Sequence, residues 1–125
     1  MEKKQILVVE DQPDYAYVLS YWLESSLEGE PFEIIKANDG MDALKKIRAN
    51  PPHIIILDII LPRLDGLQLC RMIKFDKKFE KIPIIMISSI PGDEVREKAK
   101  KVKADHFFPK PVDIEKLINV IKHYF

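Results

Sequence analysis

Residues 53–66 read HIIILDIILPRLDG. Four apolar residues lead into Asp58, and the chain then turns apolar again before a polar loop. A short, unbroken, β-branched run is the mark of a strand buried on both faces. Burying a carboxylate at the end of such a strand is costly unless something pairs with it. Either Asp58 faces water at the strand end, or it is held there for chemistry.

The same kind of run recurs on both sides of this stretch. QILVV (5–9) ends in Glu10-Asp11, FEIIKA (32–37) and IPIIMI (82–87) are further strands, and ADHFF (104–108) is a fifth. Between them lie segments with helical spacing. Residues 13–27 open with proline and carry Tyr15, Val18, Leu19, Trp22 and Leu23. Residues 39–50 carry Met41, Leu44 and Ile47 and stop at Pro51-Pro52. Residues 65–74 place Leu67, Cys70 and Ile73 on one stripe. Residues 92–103 have acids first and lysines last, which suits the helix dipole. Residues 112–125 form the final helix, with Asp113 as its cap. Five β-α units in strict alternation predict an α/β fold, a doubly wound parallel sheet with helices on both faces. The links are short and no repeat or linker interrupts them, so residues 1–125 are expected to form one domain.

Composition narrows the function. The chain has 125 residues, 46% hydrophobic and 32% charged, which describes a folded globular domain. Cations and acids number 20 each, which argues against a bulk electrostatic nucleic-acid binder while leaving room for a local basic patch; no direct nucleic-acid partner is expected. The single cysteine, Cys70, rules out an internal disulfide framework and reads as a small core residue. These features predict a reducing, cytoplasmic location. The basic start MEKK is followed by too few apolar residues for a signal peptide or a membrane span, and no membrane association is expected.

In a right-handed doubly wound sheet the strands' C-terminal ends share one edge. Glu10 and Asp11 follow the first strand, Asp58 the third, Ser88 and Ser89 the fourth, and Lys110 the fifth. Ligands bind at that edge, at the switch point of strand order. In a flavodoxin-like order, 2-1-3-4-5, the switch point gathers Glu10, Asp11 and Asp58. Three carboxylates in one crevice repel one another, and a hard divalent cation such as Mg²⁺ relieves that repulsion.

Taken together, ILVVED, IIILDIILPRLDG, PIIMISS and FFPKP resemble the motifs of response-regulator receiver domains (CheY-like, two-component signalling), in that family's order and over essentially the whole chain. The resemblance implies that Asp58 is the phosphoacceptor. It implies that Glu10 and Asp11 form the acidic pair, with Asp11 on Mg²⁺ and the Ile60 carbonyl as a further ligand. Ser88 matches the hydroxyl residue that turns toward the phosphoryl group, and Phe107 the switch aromatic. Lys110 matches the family's lysine, with Lys110-Pro111 in the place of a cis peptide, and Gly66 matches the glycine after the phosphoacceptor. A sensor histidine kinase or a histidine phosphotransfer domain is the implied donor. The face formed by the fourth helix, fifth strand and fifth helix is the implied contact for a downstream protein target. The phosphorylated state is expected to be a monomer or a phosphorylation-dependent dimer. The implied chemistry is a switch that catalyses only its own phosphorylation and dephosphorylation, rather than turnover of an external substrate.

Some positions depart from the family pattern. Glu10 stands where many members have Asp, and Phe107 lacks the hydroxyl of the commoner tyrosine. Lys103 replaces a common glycine before the fifth strand, which predicts a different turn there. Pro109 cannot donate a ladder bond, which an edge strand tolerates. Ile60 and Ile90, each two residues past a site residue, predict slow loss of the phosphoryl group because apolar side chains exclude water. Competing readings fit less well. A phosphatase of the haloacid-dehalogenase type needs an acid two residues after its nucleophile, where this chain has Ile60. A flavodoxin needs a Ser/Thr-rich phosphate loop after the first strand. A docking module that only retains the fold would be expected to have lost its acidic pocket. His53, His106 and His123 lack metal-ligand spacing, and the basic run Arg96–Lys103 reads as a solvated helix end.

Overall fold

A computed structural model describes residues 3–125; Met1 and Glu2, at the start of the basic N-terminus, lie outside the described residues. The strands are β1 (Lys4–Val9), β2 (Phe32–Ala37), β3 (Ile54–Asp58), β4 (Ile84–Ser88) and β5 (His106–Pro109). The helices are α1 (Pro13–Ser26), α2 (Gly40–Ala49), α3 (Gly66–Lys74), α4 (Asp93–Lys101) and α5 (Ile114–His123). All strand pairs are parallel, in the order β2-β1-β3-β4-β5. This is the doubly wound parallel sheet expected from the alternation, in the expected flavodoxin-like order.

Strand side chains alternate between two cores, because successive residues point to opposite faces. Leu7, Val9, Ile55, Leu57, Ile84 and Met86 meet α2, α3 and α4 on one face. Ile6, Val8, Ile54, Ile56, Ile85 and Ile87 meet α1 and α5 on the other. Every residue of β3 and β4 is buried, which accounts for their unbroken apolar sequences.

Local signals start the helices. Pro13 opens α1, Asp39 caps α2 through the Asp42 amide, and Asp65 and Gln68 form a reciprocal capping box on α3. Asp113 caps α5 by accepting from the Lys116 amide.

The structure corrects several sequence expectations. The stripe of α1 that faces the sheet is Ala16, Leu19, Ser20 and Leu23, whereas Trp22 and Val18 are each 46% exposed. Met41 on α2 is also exposed. β4 begins at Ile84 rather than Ile82, because the Ile82 carbonyl accepts from the buried Lys74 ammonium. β5 begins at His106, because Asp105 is engaged in capping the start of β4: its carboxylate accepts from the Ile84 amide at 2.7 Å. The turn at Lys103 is not avoided; Lys103 itself takes the left-handed conformation, with φ 64°. Pro109 ends β5, which is an edge strand and leaves the missing N–H without consequence for the ladder.

Candidate functional site

The parallel register builds the site. Val9 pairs with Leu57, Asp58 with Ile87, and Ser88 with Pro109. Glu10, Asp58, Ser88 and Lys110 are therefore brought to one edge of the sheet, with Glu10 and Asp58 at the point between β1 and β3 where the strand order reverses. Asp58 and Ser88 are the last residues of their strands rather than the first of the loops.

Asp58 does not face water. It is 4% exposed, Glu10 is 3% exposed, and Ser88 is buried with them. What pairs with the carboxylates is Lys110. Its Nζ donates to Asp58 Oδ2 at 2.7 Å and to Glu10 Oε1 at 2.6 Å. The second oxygens are also satisfied: the Ile60 amide donates to Asp58 Oδ1 at 3.1 Å, and the Gln12 amide to Glu10 Oε2 at 3.2 Å. The same ammonium sits 4.2 Å from the centre of the Tyr15 ring. Helical spacing alone marks Tyr15 only as an apolar position in the first turn of α1; its contact with the site lysine comes from the tertiary fold.

Two buried carboxylates share one cation, so the charges do not balance. Burial, together with repulsion from Asp58, pushes Glu10 up from 4.5 to about 7, against the pull of Lys110. Burial alone would lower Lys110, but its hydrogen bonds to Asp58 and Glu10 outweigh this and leave it raised. Asp11 is exposed at the rim. Carboxylate oxygens of Glu10, Asp11 and Asp58 lie within 4.8 Å of one another. Such an all-oxygen, excess-anion set fits a small hard cation.

The remaining site residues are placed as follows. Ser88 Oγ accepts from the Ile90 amide at 3.0 Å, and the Ser88 carbonyl accepts from the Lys110 amide at 2.8 Å. The Lys110–Pro111 peptide is cis. Phe107 is half-buried on the α4 side of the sheet, and the Arg96 guanidinium lies 4.7 Å from its ring centre. That cation over the ring was not foreseen. Ile60 and Ile90 are 53% and 38% exposed at the rim. Gly66, the first residue of α3, packs so closely under β3 that a Cβ there would press on the Asp58 carbonyl oxygen and come within 2.7 Å of Ile59 Cα.

This geometry coincides with a known family. Residues 6–122 match the response regulator receiver domain. The chain belongs to that family. It is 41% identical over 99 residues to protein PilG of Pseudomonas aeruginosa, covering 79% of this chain and 73% of PilG. It is 34% identical over 108 residues to the alkaline phosphatase synthesis transcriptional regulatory protein PhoP of Bacillus subtilis, covering 86% of this chain. That match spans 42% of PhoP. Among solved structures, it resembles the signal receiver domain of a signal transduction histidine kinase from Syntrophus aciditrophicus. The TM-score is 0.86 at 28% identity, over 97% of this chain and 89% of that one. Receiver domains are the phosphoacceptor switches of two-component systems, and membership implies phosphorylation-based signalling with histidine kinases or phosphotransfer proteins and downstream targets. No helix among the described residues is long and apolar enough to cross a membrane.

Proposed function

We propose that Asp58 of this receiver accepts a phosphoryl group from the phosphohistidine of a sensor kinase or a phosphotransfer domain. The observation that carries this reading is the buried Asp58 carboxylate, held 2.7 Å from Lys110 and beside two further acids at the switch point of the sheet. An Asp58 oxygen attacks phosphorus, the phosphorus–nitrogen bond breaks, and its electron pair returns to the imidazole nitrogen. Lys110 offsets the charge on the transferring oxygens, and being already fixed between two carboxylates it needs little reorganisation.

Glu10, Asp11 and Asp58, with the Ile60 carbonyl, would hold Mg²⁺. When bound it would supply neutralisation of charge that one lysine leaves uncovered. The aspartyl-phosphate adds strong acceptor oxygens. The Ser88 hydroxyl then leaves the Ile90 amide and donates to one of them, and the Phe107 ring shifts into the vacated room. The α4-β5-α5 face, which carries Arg96 and Phe107, reports the change to a downstream protein.

Intact mass after incubation with acetyl phosphate and Mg²⁺ tests this. One added phosphoryl mass is expected, absent in Asp58→Ala and in chelator. An unchanged mass under donation from a panel of phosphorylated histidine phosphotransfer domains as well would overturn the reading.

A further inference from the structure

We infer that the end of the domain opposite the phosphorylation site is a docking surface for an acidic protein segment bearing an apolar side chain. The surface is formed by the C-terminus of α3, the loop 75–83 and the turn after α4. These parts are locked together: Cys70 Sγ donates to the Val102 carbonyl at 3.4 Å, and Lys74 Nζ donates to Asp105 at 2.8 Å. At its centre Phe75 is 55% exposed, and Met72 beside it is 40% exposed.

Single exposed apolar residues are ordinary. What distinguishes Phe75 is its collar. Lys103 Nζ lies 4.5 Å from the ring centre and the Arg71 guanidinium 5.9 Å. Lys103 reaches it from a left-handed backbone position, φ 64°. On the same segments Arg71, Lys77, Lys78, Lys81, Lys101 and Lys103 are all exposed, and none has an ion-pair partner among the described residues. Two lysines of α4 outside the patch differ: Lys98 and Lys100 each have a glutamate at 3.8 Å. In a chain of zero net charge this excess is matched by the stretch 5–35, which holds seven acids and no Lys or Arg.

An aromatic anchor flanked by Arg71 and Lys103, on segments rich in unpaired cations, complements a short acidic peptide with one apolar residue. Nucleic acid fits less well. The acid-only stretch 5–35 repels a long polyanion more than it does a short peptide segment. A second copy docking through its acidic stretch would make a head-to-tail contact, which forms rings or filaments and shows as salt-sensitive self-association. Because the patch lies where the strands begin, its occupant leaves Asp58 and Lys110 accessible. The surface is a tether that works in both phosphorylation states.

The test titrates the ¹⁵N-labelled protein with the peptide acetyl-Glu-Glu-Trp-Glu-Glu-Leu-amide at low salt. Parallel titrations use its Lys-for-Glu counterpart and single-stranded oligothymidylate. Amide shifts confined to Met72, Phe75, Lys78 and Lys103 are expected with the acidic peptide alone. Lys103→Glu and Phe75→Ala, both at exposed positions, should each weaken binding by about tenfold. Lys103→Glu should still gain one phosphoryl mass from acetyl phosphate. Failure of the acidic peptide to shift these amides, tighter binding of the oligonucleotide at the patch, or salt-sensitive self-association in sedimentation would each overturn the proposal.

Discussion

Lys110 Nζ donates to Asp58 Oδ2 at 2.7 Å, joining residues 52 positions apart across the mouth of the sheet. The same ammonium holds Glu10, so this one cation keeps two buried carboxylates together. Replacing it by the uncharged Lys110→Met leaves both acids facing each other in a dry site. We expect a loss of about 3 kcal/mol in metal-free urea denaturation. Mg²⁺ should recover part of it, because the cation and the lysine screen the same charges.

The raised Glu10 carboxyl sets a pH dependence. Its folded value, about 7, lies above its ordinary 4.5. A group shifted upward favours folding while protonated. Its contribution is complete below pH 4.5 and disappears as pH rises through about 7. The metal-free protein should therefore lose thermal stability from this group between those limits. Stabilisation by Mg²⁺ should grow over the same window, as the proton leaves the carboxylate. Glu10→Gln should flatten both profiles in differential scanning calorimetry.

Gly66→Ala tests the close packing under Asp58. Alanine is the better helix former by about 1 kcal/mol, so helix propensity alone predicts stabilisation. The added Cβ instead meets the Asp58 carbonyl and Ile59 Cα, which are backbone atoms that cannot swing away. We expect a net loss of about 2 kcal/mol in chemical denaturation and slower phosphoryl uptake from acetyl phosphate.

Cys70 offers a probe of global opening. Burial pushes its thiol up to about 12, and it is fully shielded between α3 and the Val102 carbonyl. At pH 8 a disulfide reagent should modify it only as fast as the domain unfolds. Labelling at the rate of a free thiol would show that α3 opens locally.

Ile60 and Ile90 flank the mouth of the site, yet each is more than a third exposed. The phosphoryl group, once on Asp58, should persist far beyond seconds at neutral pH, because these side chains can fold over it. Ile90→Asn should shorten that lifetime, measured by the decay of the phosphorylated mass.

The sheet and the site were legible because both rest on position along strands. Ile54–Leu57 and Ile84–Ile87 are apolar without interruption, as strands buried on both faces must be. Given the flavodoxin-like order 2-1-3-4-5, the residues that follow β1, β3, β4 and β5 share one edge, and Glu10, Asp58, Ser88 and Lys110 meet there. Helix faces were less legible. On α1, Tyr15, Val18, Leu19, Trp22 and Leu23 span two neighbouring stripes, and spacing alone does not choose between them. The sheet selects the stripe with Ala16 and Ser20, whose small side chains let the helix lie close, and leaves Trp22 at the rim. Interactions between elements, such as Arg96 over Phe107 or Lys74 with Asp105, carry no local pattern at all. The left-handed Lys103 was hidden because glycine is the usual signal for that conformation.

The hydrogen bond from the Lys110 amide to the Ser88 carbonyl ties the ends of β4 and β5 to each other. It engages backbone only, so a turn of the Ser88 hydroxyl away from the Ile90 amide would not disturb the strands. Information would then travel through a rotation about one side-chain bond and the tilt of one ring, inside an otherwise stationary frame. A device of that kind stores its memory in torsions rather than in the shape of the domain. Its two states should be almost indistinguishable in overall dimensions and still be read without error by a partner that touches Phe107.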